Sequence, residues 1–567
     1  MAAPDTAPRS ESRLSVDAVR AAVRGQDAVI ETGFGARPLV YADYGASGRP
    51  CALVEAAVEA ELALYANPHN EDSATGRAAT AALHRACARI KRAVNAGQEH
   101  ALILEGAGAT GAIARLQAIL GLAMPPATRA FLDSVLDEAT REAVRAQIAA
   151  ARPVVFVGPY EHHSNELSWR ESLAETVSIG LGADGGLDLE DLAGKLADPR
   201  FAGRRKIGAF SAASNVTGVK TDIAALARLL HAHDAILCLD GAASAPYLPV
   251  DMRPRDPDAG PDAVSFSPHK MIGGPGAGGV LVIRKALYRG DLAPTVSGGG
   301  TVRYVTPETH DFLADIEARE RAGTPNLPQA LRTAAALDLA ERVGWNEIAA
   351  REHAHLEAAM SAWSACEGVE ILGPAEPERR IGLVSLVLRP GGGDPLHPKL
   401  AARLLNDLYG IQARAGCSCA GPYGHHILGL TAADTEAHRE AVLDGYGGLR
   451  PGWVRVSLHW SMSVAERDYL IAAVRQLAKV GDRLAALYRF DPHTGAWTRE
   501  GCDTRLAAET GGAALMGESL RYAEALTQDM VCEPAPAAIP ARHAALCRYA
   551  ALEAAAPASE AQNAFVK

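Results

Sequence analysis

Short apolar runs alternate with helical patterns through the middle of the chain. "KIGAFSAAS", "AILCLD", "AVSFS" and "GGVLVIR" are nearly continuous hydrophobic stretches, and "DIAALARLLHAHD" repeats its Leu and Ala residues at helical spacing behind an Asp. Apolar runs without strict alternation, separated by helices, predict crossover units and a mostly parallel sheet covered on both faces. After about residue 330 the pattern changes to long helices, "PQALRTAAALDLAERVG" and "REHAHLEAAMSAWSAC", mixed with a few strands such as "RIGLVSLVL" and "WVRVSLHW". That predicts a second, smaller α+β domain. Near the start, "SRLSVDAVRAAVR" has helical spacing behind a Ser cap. The far end, "PAPAAIPARHAALCRYAALEAAAPASEAQ", is rich in Ala and Pro with few large apolar residues, which predicts a helix-containing extension with a disordered tip. The expected organisation is an N-terminal segment with a helix (1–37), a large α/β domain (38–330), a small α+β domain (331–480) and a C-terminal extension (481–567).

Composition narrows the function. With 567 residues, 48% of them hydrophobic and 22% charged, the chain can bury a large core. A net charge of −11 without a Lys/Arg-dense tract gives no footprint for nucleic acid or an anionic membrane, so a small-molecule substrate is expected. No stretch approaches the ~20 apolar residues of a membrane span, and the N-terminus lacks an apolar signal core; the expected location is the cytoplasm. The nine cysteines have no framework spacing, and in a reducing compartment they read as thiols.

The strand ends carry the chemistry. In open α/β sheets ligands sit at the carboxyl ends of strands. "AILCLD" ends in Asp240, and "AVSFS" ends in Ser267, followed by Pro268, His269 and Lys270. Alone, Asp240 reads as a cap and Lys270 as a solvated charge. Together, an acid and an amine from neighbouring strand ends are what pyridoxal phosphate requires: a Schiff-base partner for its aldehyde and a carboxylate for its ring nitrogen. "EGAGATGAIARL" adds a small-residue helix start whose backbone N–H groups and Thr110 hydroxyl could meet a phosphate, although such starts are also common packing devices.

In order along the chain these segments resemble the class V, fold type I pyridoxal-phosphate enzymes, and more closely the group II cysteine desulfurases and the desulfurase-like domain of molybdenum-cofactor sulfurases. The resemblance spans roughly residues 38–480. It implies a large, mostly parallel α/β domain with a smaller α+β domain, and Lys270 as the Schiff-base lysine. It implies that "YADYGASG" brings Gly45 and Ala46 near the substrate, that "EHHSNELSW" supplies His162 to stack on the cofactor ring, and that "ASNVTGV" supplies Asn215 beside it. Ser267 and His269 are implied at the phosphate with Thr110 and Ala109, where Ala109 replaces a family Thr. "ERAGTPN" resembles the segment whose Thr, here Thr324, reaches the phosphate of a neighbouring subunit, which implies a homodimer with shared active sites.

"ARAGCSCAGPYGHH" resembles the group II pattern around the sulfur-accepting cysteine. It implies Cys419 as nucleophile beside Arg414, with Arg455 of "WVRVSLHW" gripping the carboxylate of a small amino-acid substrate. The implied activity is removal of sulfur from L-cysteine, leaving alanine and a persulfide for a protein sulfur acceptor. Other readings stand beside it. Cys417, Cys419, His425 and His426 match no usual zinc spacing, so no metal is expected. A Cys417–Cys419 disulfide would be strained, and two structural cysteines in a tight turn is the bland alternative. One departure matters: Ala243 stands where desulfurases carry a Gln or His that bonds the cofactor's phenolic oxygen. Another class V enzyme, an aminotransferase, epimerase or C–S lyase that does not use the cysteine, is therefore the alternative, and a cofactor-bound scaffold is a third.

Overall fold

The computed structural model describes residues 12–499, 504–528, 530–531, 535–550 and 552–555. Residues 1–11 and 556–567, the latter containing the expected disordered tip of the tail, lie outside the described residues. The chain forms two compact units: residues 1–24, 46–214 and 219–350 in the first, and residues 25–45, 215–218 and 351–567 in the second.

The first unit is built on a seven-stranded sheet. Its strands are β1 (His100–Glu105), β2 (Val154–Val157), β3 (Glu175–Ser178), β4 (Lys206–Ser211), β5 (Ala235–Asp240), β6 (Ala263–Phe266) and β7 (Gly279–Arg284), in spatial order β1-β7-β6-β5-β4-β2-β3. From β3 through β2, β4 and β5 to β6 every pairing is parallel; β7 runs antiparallel to both its neighbours. Consecutive residues of the central strands are all buried, as in "VVFV" of β2, because helices cover both faces. One is α3 (Ile223–His231), whose cap Asp222 accepts the Ala225 N–H and whose Leu226 and Leu230 are buried. Such a cap contributes about 1 kcal/mol. Ser15 caps the predicted N-terminal helix Val16–Ala22 in the same way. Two helices the pattern did not separate, Pro126–Val135 and Glu138–Ala151, bury none of their residues.

The second unit holds a four-stranded antiparallel sheet of β8 (Val369–Ile371), β9 (Leu383–Leu388), β10 (Arg414–Gly416) and β11 (Trp453–Ser457), in order β8-β9-β11-β10. Helices Trp345–Ser364, Pro398–Tyr409 and Val464–Val480 bring Trp363, Leu404, Leu408 and Val474 into its core. Residues beyond 480 join that core. Trp497, Ala523, Ala535, Ala537 and Ile539 are buried in it, and strand Arg505–Thr510 pairs antiparallel with Ala28–Thr32. Ala535 and Ala537, on one of the paired strands Ala535–Ala538 and Leu552–Ala555, are buried beside the larger Trp497 and Ile539. Among the described residues, no helix is long and apolar enough to cross a membrane.

Candidate active site

In the first unit Asp240, Ser267, His269 and Lys270 stand at the carboxyl ends of β5 and β6. Asp240 closes β5 at 5% exposure. Its carboxylate accepts the Ala242 N–H at 2.8 Å, and burial raises its pKa while that bond and nearby Lys270 pull it back. Just past β6, Pro268–Lys270 form a single 3₁₀ turn, with the Lys270 N–H bonded to the Ser267 carbonyl at 3.1 Å. Lys270 is near enough for its charge to favour the ionised form of Asp240.

Beside them lies the start of α1 (Gly108–Ile119). Ser267 Oγ accepts the Ala109 N–H at 2.8 Å. Gly108 has φ +61°, and a Cβ there would lie 2.9 Å from Ser267 Oγ and 3.5 Å from the His269 ring. The missing side chain keeps a cradle open between a helix N-terminus, a hydroxyl and an imidazole, a setting suited to an anion. Burial, then Lys270, lowers the His269 pKa, which favours the neutral imidazole. The Thr110 and Ser164 hydroxyls are hydrogen-bonded at 2.7 Å.

His162 caps α2 (His163–Arg170): its Nδ1 accepts the Ser164 N–H at 3.1 Å. That bond places the ring proton on Nε2. Preceding it, Glu161 is fully buried and accepts the Ser211 N–H, the Ser211 hydroxyl and the Asn165 amide at 2.7–2.9 Å. Burial pushes its pKa up to about 7; these bonds oppose the shift and Asp240 adds to it. Ser211 is the β4 partner of Asp240. Nothing in the residue pattern singles out Glu161, although it stands inside the segment that supplies His162. Ala243 is buried and offers no polar atom. Ala46 precedes Ser47 and Gly48, whose Oγ and N–H donate to the His269 carbonyl at 3.3 and 2.9 Å. Thr324 lies exposed on another loop, where Asn67 donates to its hydroxyl at 3.4 Å.

The second unit carries the arginines and the cysteine pair. Arg455, 3% exposed, donates to the Asn215 carbonyl at 2.6 Å and to Asp43 at 3.3 Å. Arg414, its partner across β10 and β11, donates to the other Asp43 oxygen at 3.2 Å. Two guanidiniums directly opposite repel, and Asp43 between them offsets that repulsion. A Cβ on Gly45 would lie 3.1 Å from the Arg455 guanidinium, so glycine makes room for it. Asp43 escapes a reading of the sequence because both its partners lie more than 370 residues away.

Cys417 to Ala420 form a tight turn. The Ala420 N–H bonds the Cys417 carbonyl at 3.1 Å, and the central residues Ser418 and Cys419 have φ of +51° and +58°. Positive φ at both central positions is the backbone of a primed turn, uncommon without glycine. Cys419 is exposed and Cys417 half-buried. Asn215 anchors the turn, its amide donating to the Ser418 carbonyl at 2.6 Å. Asn215 Oδ1 and Ser418 Oγ are buried without a hydrogen-bond partner among the described residues. Among the described residues no three His, Cys, Asp or Glu side chains gather to hold a metal.

Sheet order and strand directions are those of fold type I, the architecture of pyridoxal-phosphate-dependent transferases. A cysteine desulfurase from Thermococcus onnurineus NA1, solved in its apo form, superimposes with a TM-score of 0.63 at 23% identity, over 82% of this chain and 99% of that one. The cysteine desulfurase CsdA from Escherichia coli gives 0.61 at 23% identity, over 81% and 98%. In sequence, the probable cysteine desulfurase of Halalkalibacterium halodurans is 29% identical over 70% of this chain and 87% of its own length, and that of Streptomyces coelicolor is 31% identical over 52% and 69%. The aminotransferase class-V family model matches residues 138–470. The chain belongs to the class-V aminotransferase family.

Proposed function

We propose that this chain is a pyridoxal-phosphate-dependent cysteine desulfurase. The observation that carries the proposal is the turn presenting Cys419: an exposed thiol on a backbone of positive φ, tied to Asn215. Desulfurases among its relatives and structural neighbours support the same reading. Lys270 would hold the cofactor aldehyde, Asp240 its ring nitrogen, and Thr110, Ser267, His269 and the α1 N-terminus, with the Ala109 N–H, its phosphate. His162 would stack on the ring. When bound, the cofactor supplies an electron sink that weakens bonds at the substrate's α and β carbons. The chain's own residues do the rest. Arg455 binds and orients the carboxylate of cysteine, and the Cys419 thiolate attacks its sulfur. A sulfur–sulfur bond forms, the carbon–sulfur bond breaks, and alanine leaves behind a Cys419 persulfide for a protein acceptor. Such free-thiol chemistry suits the cytoplasm.

A homodimer forms part of the proposal. Thr324 neighbours Asn67, and the segments beside them expose Leu64, Tyr65 and, at 66%, Tyr304. That apolar surface suits a second copy whose phosphate site Thr324 would complete.

The test is incubation of the purified protein with L-cysteine, measuring alanine and protein-bound persulfide. Wild type should form both, and Cys419→Ser almost neither. Ala243, which offers the cofactor no hydrogen bond, favours a second reading: an aminotransferase, epimerase or C–S lyase of the same family. In that case Cys419→Ser keeps its rate on the true substrate and wild type turns cysteine over poorly.

A further inference from the structure

We propose that Cys417 is a second sulfur-carrying residue, which takes the sulfur from Cys419 and frees it for another turnover. The inference rests on the desulfurase reading and extends it to a step within the chain.

The turn supplies the geometry. A four-residue turn closes its outer Cα atoms to less than about 7 Å, and Cys417 and Cys419 both lie within that span, one residue apart. A direct disulfide between them must bring the two sulfurs to ~2.05 Å with a specific dihedral, which a link spanning a single intervening residue meets only under strain. Sulfur transfer makes no such demand. The moving sulfur stands between the two Sγ atoms, partly bonded to each, so they stay roughly twice a disulfide length apart. The single intervening residue that disfavours a direct disulfide therefore does not bar the transfer.

In this step the Cys417 thiolate attacks the outer sulfur of the Cys419 persulfide. The new bond joins that sulfur to Cys417, the bond to Cys419 Sγ breaks, and its electron pair leaves with Cys419 as a thiolate. The proton lost by Cys417 is regained at Cys419. No oxidant or reductant is consumed, because one persulfide and one thiol become one thiol and one persulfide. Exposure gives the transfer its use. Cys419 is exposed and meets each incoming cysteine, whereas half-buried Cys417 shelters the stored sulfur from solvent thiols. Ser418 fixes the spacing, since its carbonyl is held by Asn215.

The cofactor-loaded enzyme is mixed with excess L-cysteine without reductant, quenched in acid, and read by alanine burst and peptide mass. Wild type should release two equivalents of alanine per subunit and carry one extra sulfur on each cysteine; Cys417→Ser and Cys417→Ala should release one equivalent and carry one sulfur. A one-equivalent burst from wild type, with Cys417 unmodified, overturns the relay and leaves the desulfurase reading intact. No alanine from wild type overturns that reading and the relay with it. A second arm needs no turnover: Lys270→Ala protein treated briefly with inorganic polysulfide should gain sulfur on Cys417 only while Cys419 is present. Equal labelling of Cys417 in Lys270→Ala/Cys419→Ser protein would overturn the relay as well.

Discussion

Arg414 and Arg455 stand directly opposite each other on paired antiparallel strands, and the Asp43 carboxylate reaches both. Asp43→Ala removes the shared anion and one of the bonds that aim Arg455. The expected outcome is a stability loss of about 1–3 kcal/mol, the scale of a charged hydrogen bond left unmade, together with a raised KM for cysteine. Asp43→Asn, which keeps an acceptor, should lose less of each. Unfolding curves and steady-state kinetics on the three proteins check this, and an unchanged KM in Asp43→Ala would show that Arg455 needs no such support.

Glu161 makes stability depend on pH. Its folded pKa, about 7, lies above the ordinary 4.5, so the native state holds this proton more tightly than the unfolded chain does. The resulting stabilisation is complete below about pH 4.5 and is lost as the pH rises through 7. At ~1.4 kcal/mol per pKa unit the contribution is at most about 3.5 kcal/mol. Glu161→Gln, which cannot ionise, should flatten the decline between pH 5 and 8 in denaturant unfolding. An equal slope in both proteins would assign the decline to other groups, of which Asp240, shifted in the same direction, is the first to test.

Lys270→Ala should retain no cofactor after borohydride reduction, whereas wild type retains it covalently. Asp240→Ala should still bind cofactor and lose turnover by about 10²-fold or more, the scale of a lost acid–base partner. Full turnover in Asp240→Ala would mean that another acid serves the ring nitrogen.

Thr324→Ala should weaken cofactor retention without changing the oligomeric state, measured by dialysis and by sedimentation. A monomeric wild type with full activity would remove the reason for any effect of Thr324.

Truncation before Ala535 should lower the melting temperature while leaving Lys270 able to bind cofactor. It deletes the paired strands Ala535–Ala538 and Leu552–Ala555 and unburies part of the second unit's core. An unchanged melting temperature would show that these strands add nothing to the core they touch.

The sequence revealed what is local. The apolar runs placed Asp240 and Ser267 at strand ends, and the structure ends those strands at Asp240 and Phe266; a small-residue helix start within "EGAGATGAIARL" was legible too. Direction along the sheet was not legible: "GGVLVIR" has the same hydrophobic character whether β7 runs parallel or antiparallel. The Asp43 carboxylate was hidden for another reason, since only folding brings its partners from β10 and β11 to it. Composition misled about the tail, where Ala535 and Ala537 are buried in the second unit's core beside Trp497 and Ile539.

The pairing of Ala28–Thr32 with Arg505–Thr510 bears on synthesis. The Gly511 N–H donates to Asp27 across 484 positions of sequence at 3.0 Å. On a ribosome moving at about 5–20 residues per second, that partner emerges roughly 25–100 s after Asp27. Until then residues 28–32 expose an open strand edge able to pair with other chains. The nascent protein thus has a long interval in which a chaperone holding its first forty residues would raise the yield of folded enzyme.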